Sequence, residues 1–189
     1  MFPLLFRIAT DREATVDSYA QMQGQVVVWN IVLHRQVQDW EMGQVLGRIL
    51  TIDNLSRRGH ILVNWCCMCC GAAESVDHLL ICCPVASRIW MSIVALFGLD
   101  WVQPGTVRAV LQSWVGGRVG KRRRKAWNLA GHCLMWLMWL ERNRRVFLEE
   151  LRLAVWLERH LLLVVHSWLT LTVDSAVLSF VEFVEDLSS

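Results

Sequence analysis

The strongest constraint on this chain is a cluster of cysteines around one histidine. Six of the seven cysteines lie between residues 66 and 83, and the histidine separates the two cysteine groups. The spacing Cys66-x2-Cys69-x8-His78-x4-Cys83 supplies three thiolates and one imidazole. Zinc binds soft sulfur and borderline nitrogen in a four-coordinate tetrahedral shell. Because four protein ligands leave no position for water, the pattern predicts a structural zinc ion rather than a catalytic one.

The histidine and the last cysteine of this set require a break in the helix between them. Ser75 is a good N-cap for a short helix that contains His78. Residues i and i+5 of a continuous α-helix point about 140° apart, because a turn takes about 3.6 residues. Pro84 disfavours the α conformation at Cys83 and suits the first position of a following helix. We therefore predict that Cys83 lies at the break and turns back toward His78.

Spacing alone leaves the register of the cluster open. Cys67-x2-Cys70 fits the first pair equally well, and Cys82 could replace Cys83. A different interpretation is that these residues are buried or free thiols, which behave as small apolar side chains. The presence of a histidine beside paired cysteines favours zinc over that interpretation.

A wider set of motifs around the cluster resembles one known family. The motifs are Ile49-Leu-Thr-Ile-Asp-Asn-Leu-Ser-Arg-Arg-Gly59, Trp65-Cys-Cys-Met-Cys69, Glu74-Ser-Val-Asp-His-Leu-Leu80, Cys83-Pro84, Arg88-Ile-Trp90 and Leu134-Met-Trp-Leu-Met-Trp-Leu-Glu-Arg-Asn-Arg144. Together they are similar to the zinc-binding domain that follows the polymerase in plant non-LTR retrotransposon reverse transcriptases. The resemblance covers roughly residues 28–150.

The resemblance implies a register for the metal ligands. The family's second cysteine precedes a Glu-Ser pair by five residues, as Cys69 precedes Glu74. Its last cysteine precedes a proline or another helix-starting residue, as Cys83 does. The resemblance thus implies Zn2+ as the cofactor and a ligand set of Cys66, Cys69, His78 and Cys83, with Cys67, Cys70 and Cys82 as extra cysteines. It also implies a non-catalytic accessory domain that helps a reverse transcriptase to engage RNA or DNA.

The composition of the chain indicates its size class, its overall charge and the redox state of its compartment. The 189 residues are enough for one domain with a hydrophobic core. A net charge of +2 is too small to give the whole protein the positive field that attracts nucleic acid. Adjacent cysteines make a poor disulfide framework, and the first residues lack a secretory signal. We therefore expect an intracellular, reducing compartment. The apolar run over residues 126–140 is too short for a membrane span. Membrane association is a further interpretation of the hydrophobic C-terminal half, and the charges at 141–145, 149–152 and 158–159 argue against it.

The densest charge on the chain is a basic run in front of the longest predicted helix. Cations at a helix N-terminus oppose the helix dipole, so helix stability does not account for them. They can neutralise phosphates without reading sequence or serve as a nuclear-import signal, and a solvated helix start is the simplest alternative. The predicted nucleic-acid-binding residues are Arg118, Lys121, Arg122, Arg123, Arg124 and Lys125, with Arg57 and Arg58 secondary.

The sequence contains no recognisable catalytic motif. It has no polymerase Tyr-x-Asp-Asp, no Walker glycine loop, no His-Glu-x-x-His helix and no Gly-x-Ser-x-Gly elbow. We therefore predict that the protein is not an enzyme and has no small-molecule substrate. Two alternatives to a nucleic-acid-binding accessory domain are a zinc-stabilised protein-interaction module and a retrotransposon relic without selected function.

The hydrophobic pattern predicts an all-α fold, a small helical domain with one CCHC zinc knuckle. Gly59 and Gly98 are expected to end the helices that precede them. We expect the charged segment 141–145 on the exposed side of the longest helix, and a break or bend near Ser167 in the next one. Residues 26–29 could be a strand or a buried entry into a helix. The predicted parts are a poorly ordered leader or remnant (1–25), the zinc-binding domain (26–118) and a helical C-terminal extension packing on it (119–189).

Overall fold

The chain divides into two units, residues 1–48 and residues 49–189. The computed structural model describes residues 20–23, 26–29, 49–114, 119–121, 123–172 and 179–188. Most of the predicted leader, residues 1–25, lies outside the described residues. The predicted domain boundaries after residues 25 and 118 stay predictions.

The described part of the first unit is a short antiparallel hairpin. Strand β1 spans Ala20–Gln23 and strand β2 spans Val26–Trp29, with Ala20 opposite Trp29. Three successive valines favour an extended backbone, because β-branched side chains fit a pleated surface. Of the two conformations that the sequence allowed for residues 26–29, the structure therefore has the strand.

The second unit is built from helices, in agreement with the predicted all-α class. In chain order these are α1 (Ile52–Arg57), a π-helix (His78–Cys82), α2 (Pro84–Leu96), α3 (Val107–Trp114), α4 (Arg124–Phe147), α5 (Ala154–Thr172) and α6 (Phe180–Ser188). Of the break or bend predicted near Ser167, the break is absent, because α5 runs through this residue. The Ser167 hydroxyl donates to the Leu163 carbonyl one turn earlier, a bond that often accompanies a bend in a helix. Among the described helices, none is both long and apolar enough to cross a membrane.

Two glycines end helices at the positions that the sequence indicates. Gly59 follows α1 with φ of +91°, and Gly98 follows α2 with φ of +65°. Glycine adopts this left-handed conformation without the steric cost of a Cβ atom. After α2, the N–H of Leu99 donates to the Val94 carbonyl and the N–H of Gly98 to the Ala95 carbonyl, which is the Schellman arrangement.

The core of the second unit is centred on α4, which contacts α2, α3 and α5. Trp114 of α3 stacks on Trp127 of α4 with ring centroids 3.7 Å apart. Each indole N–H of this pair donates to the other residue's backbone carbonyl at 2.8 Å. Trp90 of α2 meets Trp114 edge-on at 4.9 Å. These buried tryptophans satisfy their N–H groups inside the protein, so they lie in the core rather than on a binding surface.

The prediction that the charged segment 141–145 lies on the exposed side is wrong for its first two residues. Glu141 and Arg142 are 2% and 4% exposed. Glu141 accepts hydrogen bonds from Arg145 and from the backbone N–H of Arg152, and Arg142 pairs with Glu74. Charged side chains are buried only when they find such partners, and the partner of Arg142 is 68 residues away in sequence.

A single added methyl group tests the tryptophan core. A Cβ atom at Gly131 of α4 would lie 2.9 Å from Nε1 and 3.0 Å from Cε2 of Trp114. Because that ring is stacked and hydrogen-bonded, it cannot move away easily. We expect Gly131→Ala to lower the free energy of unfolding in a urea titration, because overpacking costs about 1–3 kcal/mol and helix propensity returns at most about 1 kcal/mol. Gly105→Ala, where a Cβ atom meets open space, is the control and should leave stability nearly unchanged.

Candidate metal centre

The structure brings together the four side chains that the resemblance implied as ligands. The donor atoms of Cys66, Cys69, His78 and Cys83 all lie within 4.8 Å of one another. Tetrahedral Zn–S and Zn–N bonds of about 2.3 and 2.0 Å would place such atoms about 3.5–3.8 Å apart. The Cys69 Sγ and the His78 Nε2 are already 3.3 Å apart. The donor set therefore fits Zn2+ after a small closure of the cluster.

The first two candidate ligands lie on a tight turn. The N–H of Cys66 donates to the Ala72 carbonyl at 2.8 Å, and the N–H of Cys70 donates to the Cys66 carbonyl at 2.9 Å. Cys70 ends the turn in the left-handed conformation, with φ of +50°. The backbone N–H groups of Met68 and Cys69 donate to the Cys66 sulfur. The turn thus presents both thiol groups on one side and directs N–H donors at one of them.

A π turn supplies the other two candidate ligands. The N–H of Cys83 donates to the His78 carbonyl at 2.6 Å, an i+5 to i hydrogen bond. The wider π turn brings residues i and i+5 to the same side, which an α-helix cannot do. Cys83 has φ of −56° and ψ of 131°, the extended conformation expected before proline. The break predicted at Cys83 is present, and the π turn is a local solution that the sequence reasoning did not foresee.

Two polar side chains anchor this π turn. The Ser75 hydroxyl accepts from the N–H of His78 at 3.1 Å, as predicted for an N-cap. The Asp77 carboxylate accepts from the N–H of Val107 at 2.8 Å, so it caps the start of α3 rather than its own helix. Asp77 therefore links the ligand-bearing turn to the following helix.

The two buried thiols of the cluster have opposite pKa shifts. A hydrogen bond from the Cys83 thiol and the N–H donors of the turn lower the pKa of Cys66 to about 4. The same hydrogen bond to Cys66, together with burial, raises the pKa of Cys83. The backbone N–H groups of Val85 and Ala86, at the start of α2, act in the opposite direction on Cys83. One thiolate is therefore favoured at neutral pH, and a cation in the cluster would favour the second.

Residues 17–90 match the family model described as zinc-binding in reverse transcriptase. No curated protein and no solved structure gave a significant match. The match supports a reverse-transcriptase zinc-binding domain. It contains all four candidate ligands and ends within α2. Helices α3 to α6 therefore lie beyond the matched segment.

The other three cysteines near the cluster of candidate ligands have other surroundings. The Cys67 thiol faces the Arg142 carbonyl at 3.9 Å, and burial, followed by the charge of Glu74, raises its pKa to about 11. The Cys82 thiol is exposed and donates to the Gly105 carbonyl at 3.2 Å. Cys70 is exposed in its left-handed turn. None of these three belongs to the metal-binding group that the described residues form.

Sequence reasoning missed two arginines that contact the turn carrying Cys66 and Cys69. Arg142 pairs with Glu74 inside the protein, and Arg145 donates to the carbonyls of Cys67 and Met68. The available signal was that both lie in or next to the Leu134–Arg144 motif of the resemblance. A charged run is normally a solvated surface, so the pattern favoured the wrong interpretation.

The predicted nucleic-acid-binding residues are not equivalent in the structure. Lys121, Arg124 and Lys125 are exposed near the start of α4. Arg123 is only half-exposed and donates to the Leu187 carbonyl at 2.8 Å, which fixes the end of α6. Two further residues of the set, Arg118 and Arg122, lie outside the described residues. Of the secondary pair, Arg57 forms an ion pair with Asp53 on α1.

Adjacent serine substitutions test the register of the metal centre. We expect Cys69→Ser to abolish stoichiometric zinc binding and Cys70→Ser to retain one zinc ion per chain, because only Cys69 contributes to the converging donors. Metal analysis of the purified proteins measures this difference. Structural zinc contributes roughly 10–16 kcal/mol of apparent binding free energy in small peptides, so chelation should unfold at least residues 60–90. Zinc loss in Cys70→Ser with retention in Cys69→Ser would contradict the register.

Proposed function

We propose that this chain is a non-catalytic, zinc-binding accessory domain of the reverse-transcriptase type that contacts nucleic acid through its basic run. The single observation that carries the zinc part is the convergence of three thiols and one imidazole within 4.8 Å. An origin in a plant non-LTR retrotransposon is part of the proposal and rests on the motifs of residues 49–144.

The proposed zinc ion has a structural role. Cys66, Cys69, His78 and Cys83 would hold it, and their four donors complete a tetrahedral shell without a position for substrate or water. The ligands come from two segments, the turn at residues 66–70 and the π turn before α2. Bound zinc would therefore cross-link these two segments.

The nucleic-acid part of the proposal is supported by the placement of the cations. Lys121, Arg124 and Lys125 are exposed within five residues of chain. Among the ion pairs of the described residues, none involves these three side chains. Cations without acidic partners are available to neutralise phosphates, which is a sequence-independent interaction.

A protein-interaction module is the second candidate function, and one surface feature favours it. The segment between α1 and the cysteine turn exposes Ile61 fully, Val63 by 87% and Trp65 by 50%. Apolar side chains that cluster on a surface often mark contacts with other proteins. A retrotransposon relic without selected function stays the third alternative.

A matched pair of double variants tests the nucleic-acid proposal. We expect Arg124→Ala/Lys125→Ala to weaken binding to single-stranded RNA or DNA and to flatten its salt dependence. On a single strand each phosphate contact adds about 0.7 to the slope of log affinity against log salt, so losing two contacts should lower the slope by about 1.4. Fluorescence anisotropy at several salt concentrations measures both quantities.

The control for this experiment removes the same charge elsewhere. Arg108 and Arg159 are exposed on α3 and α5. Arg108→Ala/Arg159→Ala should leave the slope close to that of the unmodified protein. Zinc content should be unchanged in both double variants. Equal affinities and slopes for the two variants at low salt would contradict a phosphate-binding role for the basic run.

The proposal also predicts that the isolated chain does not catalyse nucleotide chemistry. The sequence offers no nucleophile–base pair or carboxylate cluster in a known catalytic motif, and the proposed metal centre has a complete protein shell. We expect no nucleotide incorporation and no nuclease activity with Mg2+ or Mn2+ and a primed template. Metal-dependent incorporation that persists after further purification would overturn this part of the proposal.

A further inference from the structure

We propose that Arg142 and Arg145, near the end of α4, are positioning residues of the metal centre. The inference rests on the proposed zinc site, but it concerns a helix that lies beyond the segment matching the family model. It makes the end of α4 an integral part of the zinc module, rather than an extension that packs on a finished domain.

The first contact is a buried ion pair. Arg142 and Glu74 have side chains that are 4% and 0% exposed. The Nη2 and Nε atoms of Arg142 donate to the two carboxylate oxygens of Glu74 at 3.0 and 3.2 Å. This two-point geometry fixes the direction of both groups. The pair joins α4 to the short segment between the cysteine turn and the π turn.

Glu74 extends this contact to the rest of the metal centre. Its Oε1 also accepts from the N–H of Ile52 at 2.9 Å, the first N–H of α1. Its own N–H donates to the Asn64 side chain at 2.7 Å, just before the cysteine turn. Glu74 therefore holds both ends of the 64–74 loop and the start of α1, and Arg142 balances its buried charge.

The second contact acts on the cysteine turn itself. The Nη1 of Arg145 donates to the carbonyls of Cys67 and Met68 at 3.2 and 3.1 Å. These two peptide groups lie between the candidate ligands Cys66 and Cys69. Each carbonyl shares a planar peptide group with the N–H of the next residue, Met68 or Cys69, so a held carbonyl also fixes the direction of that N–H. Arg145 thus holds the conformation of the turn that presents Cys66 and Cys69.

Further partners fix Arg145 in place. Its Nε donates to the buried Glu141 carboxylate at 2.8 Å, and its Nη2 donates to the Arg152 carbonyl at 3.1 Å. Glu141 also accepts from the N–H of Arg152 at 2.9 Å. The guanidinium is therefore oriented by α4 and by the segment that leads into α5. Groups that orient the surroundings of a metal site typically change its affinity about 10- to 100-fold when mutated.

The coupling must act in both directions. If the end of α4 stabilises the zinc-binding conformation, then bound zinc stabilises the end of α4 by the same factor. Removing one member of a buried ion pair leaves the other as an uncompensated charge, whereas removing both charges avoids that penalty. These two relations give tests that distinguish arginines that position the zinc ligands from arginines that only pack against them.

The experiment measures zinc affinity by competition with a chromophoric chelator and the visible spectrum of bound Co2+ in the full chain. We expect Arg142→Met and Arg145→Met to lower zinc affinity about 10- to 100-fold and to alter the Co2+ bands. The double variant Glu74→Gln/Arg142→Met should recover much of the affinity, because it leaves no unpaired charge. Arg144→Met is the matched control, since Arg144 lies between the two but pairs with Glu141 and the exposed Glu150.

Hydrogen exchange in the unmodified protein tests the reverse direction. Zinc removal should increase exchange at residues 139–147 of α4 as well as at residues 64–83. Circular dichroism and a urea titration identify any variant that fails to fold. If Arg142→Met does not fold, Arg145→Met and the Glu74→Gln/Arg142→Met variant carry the test.

Three results would overturn the inference and each is distinct from failure of the zinc site. These are equal zinc affinities for Arg142→Met, Arg145→Met and Arg144→Met, no recovery in Glu74→Gln/Arg142→Met, and exchange changes confined to residues 64–90. Absence of zinc from the unmodified protein, with no Co2+ binding, would instead overturn the proposed function.

Discussion

The buried ion pair between Glu74 and Arg142 is the interaction on which the second unit depends. A carboxylate that is wholly buried needs a charged or strongly hydrogen-bonding partner, because desolvation of an unpaired charge is costly. Glu74 meets that requirement with the guanidinium of Arg142 and the first N–H of α1. The consequence is geometric. A segment near residue 74, the start of α1 and the end of α4 are held at one point, and the candidate metal ligands lie on the loop segments around it.

The metal centre illustrates how backbone conformation prepares ligands. On one side, a hydrogen bond from the Cys83 thiol, followed by the N–H groups of a tight turn, lowers the pKa of the Cys66 thiol. On the other side, a π turn followed by Pro84 returns Cys83 toward His78. The first arrangement favours a thiolate at Cys66, and the second turns the Cys83 side chain toward the same site. Zinc ligation needs thiolates, so this preparation would reduce the cost of binding at neutral pH.

The tryptophans of the second unit serve packing, whereas most described cations of the basic run are exposed on the surface. The reciprocal hydrogen bonds of Trp114 and Trp127 remove two indole N–H groups from any role in recognition. The exposed Lys121, Arg124 and Lys125 lie at the start of the same helix whose other end contacts the cysteine turn. Helix α4 thus connects the proposed nucleic-acid contact with the proposed zinc site. Arg123 shows that a basic run is not uniform, because one of its members fixes the end of α6.

The sequence by itself determined the helical class, the helix ends at Gly59 and Gly98 and the break at Cys83, whereas its spacing left two registers open for the metal ligands. These features are local, since glycine, proline and N-capping residues act through the backbone of their immediate neighbours. Only the tertiary structure decided which charges are buried. Glu74 and Arg142 are 68 residues apart, and no local pattern distinguishes them from a solvated carboxylate and a solvated arginine. The same holds for the continuity of α5 and for the contacts of Arg145 with the cysteine turn, because packing between distant segments selects them.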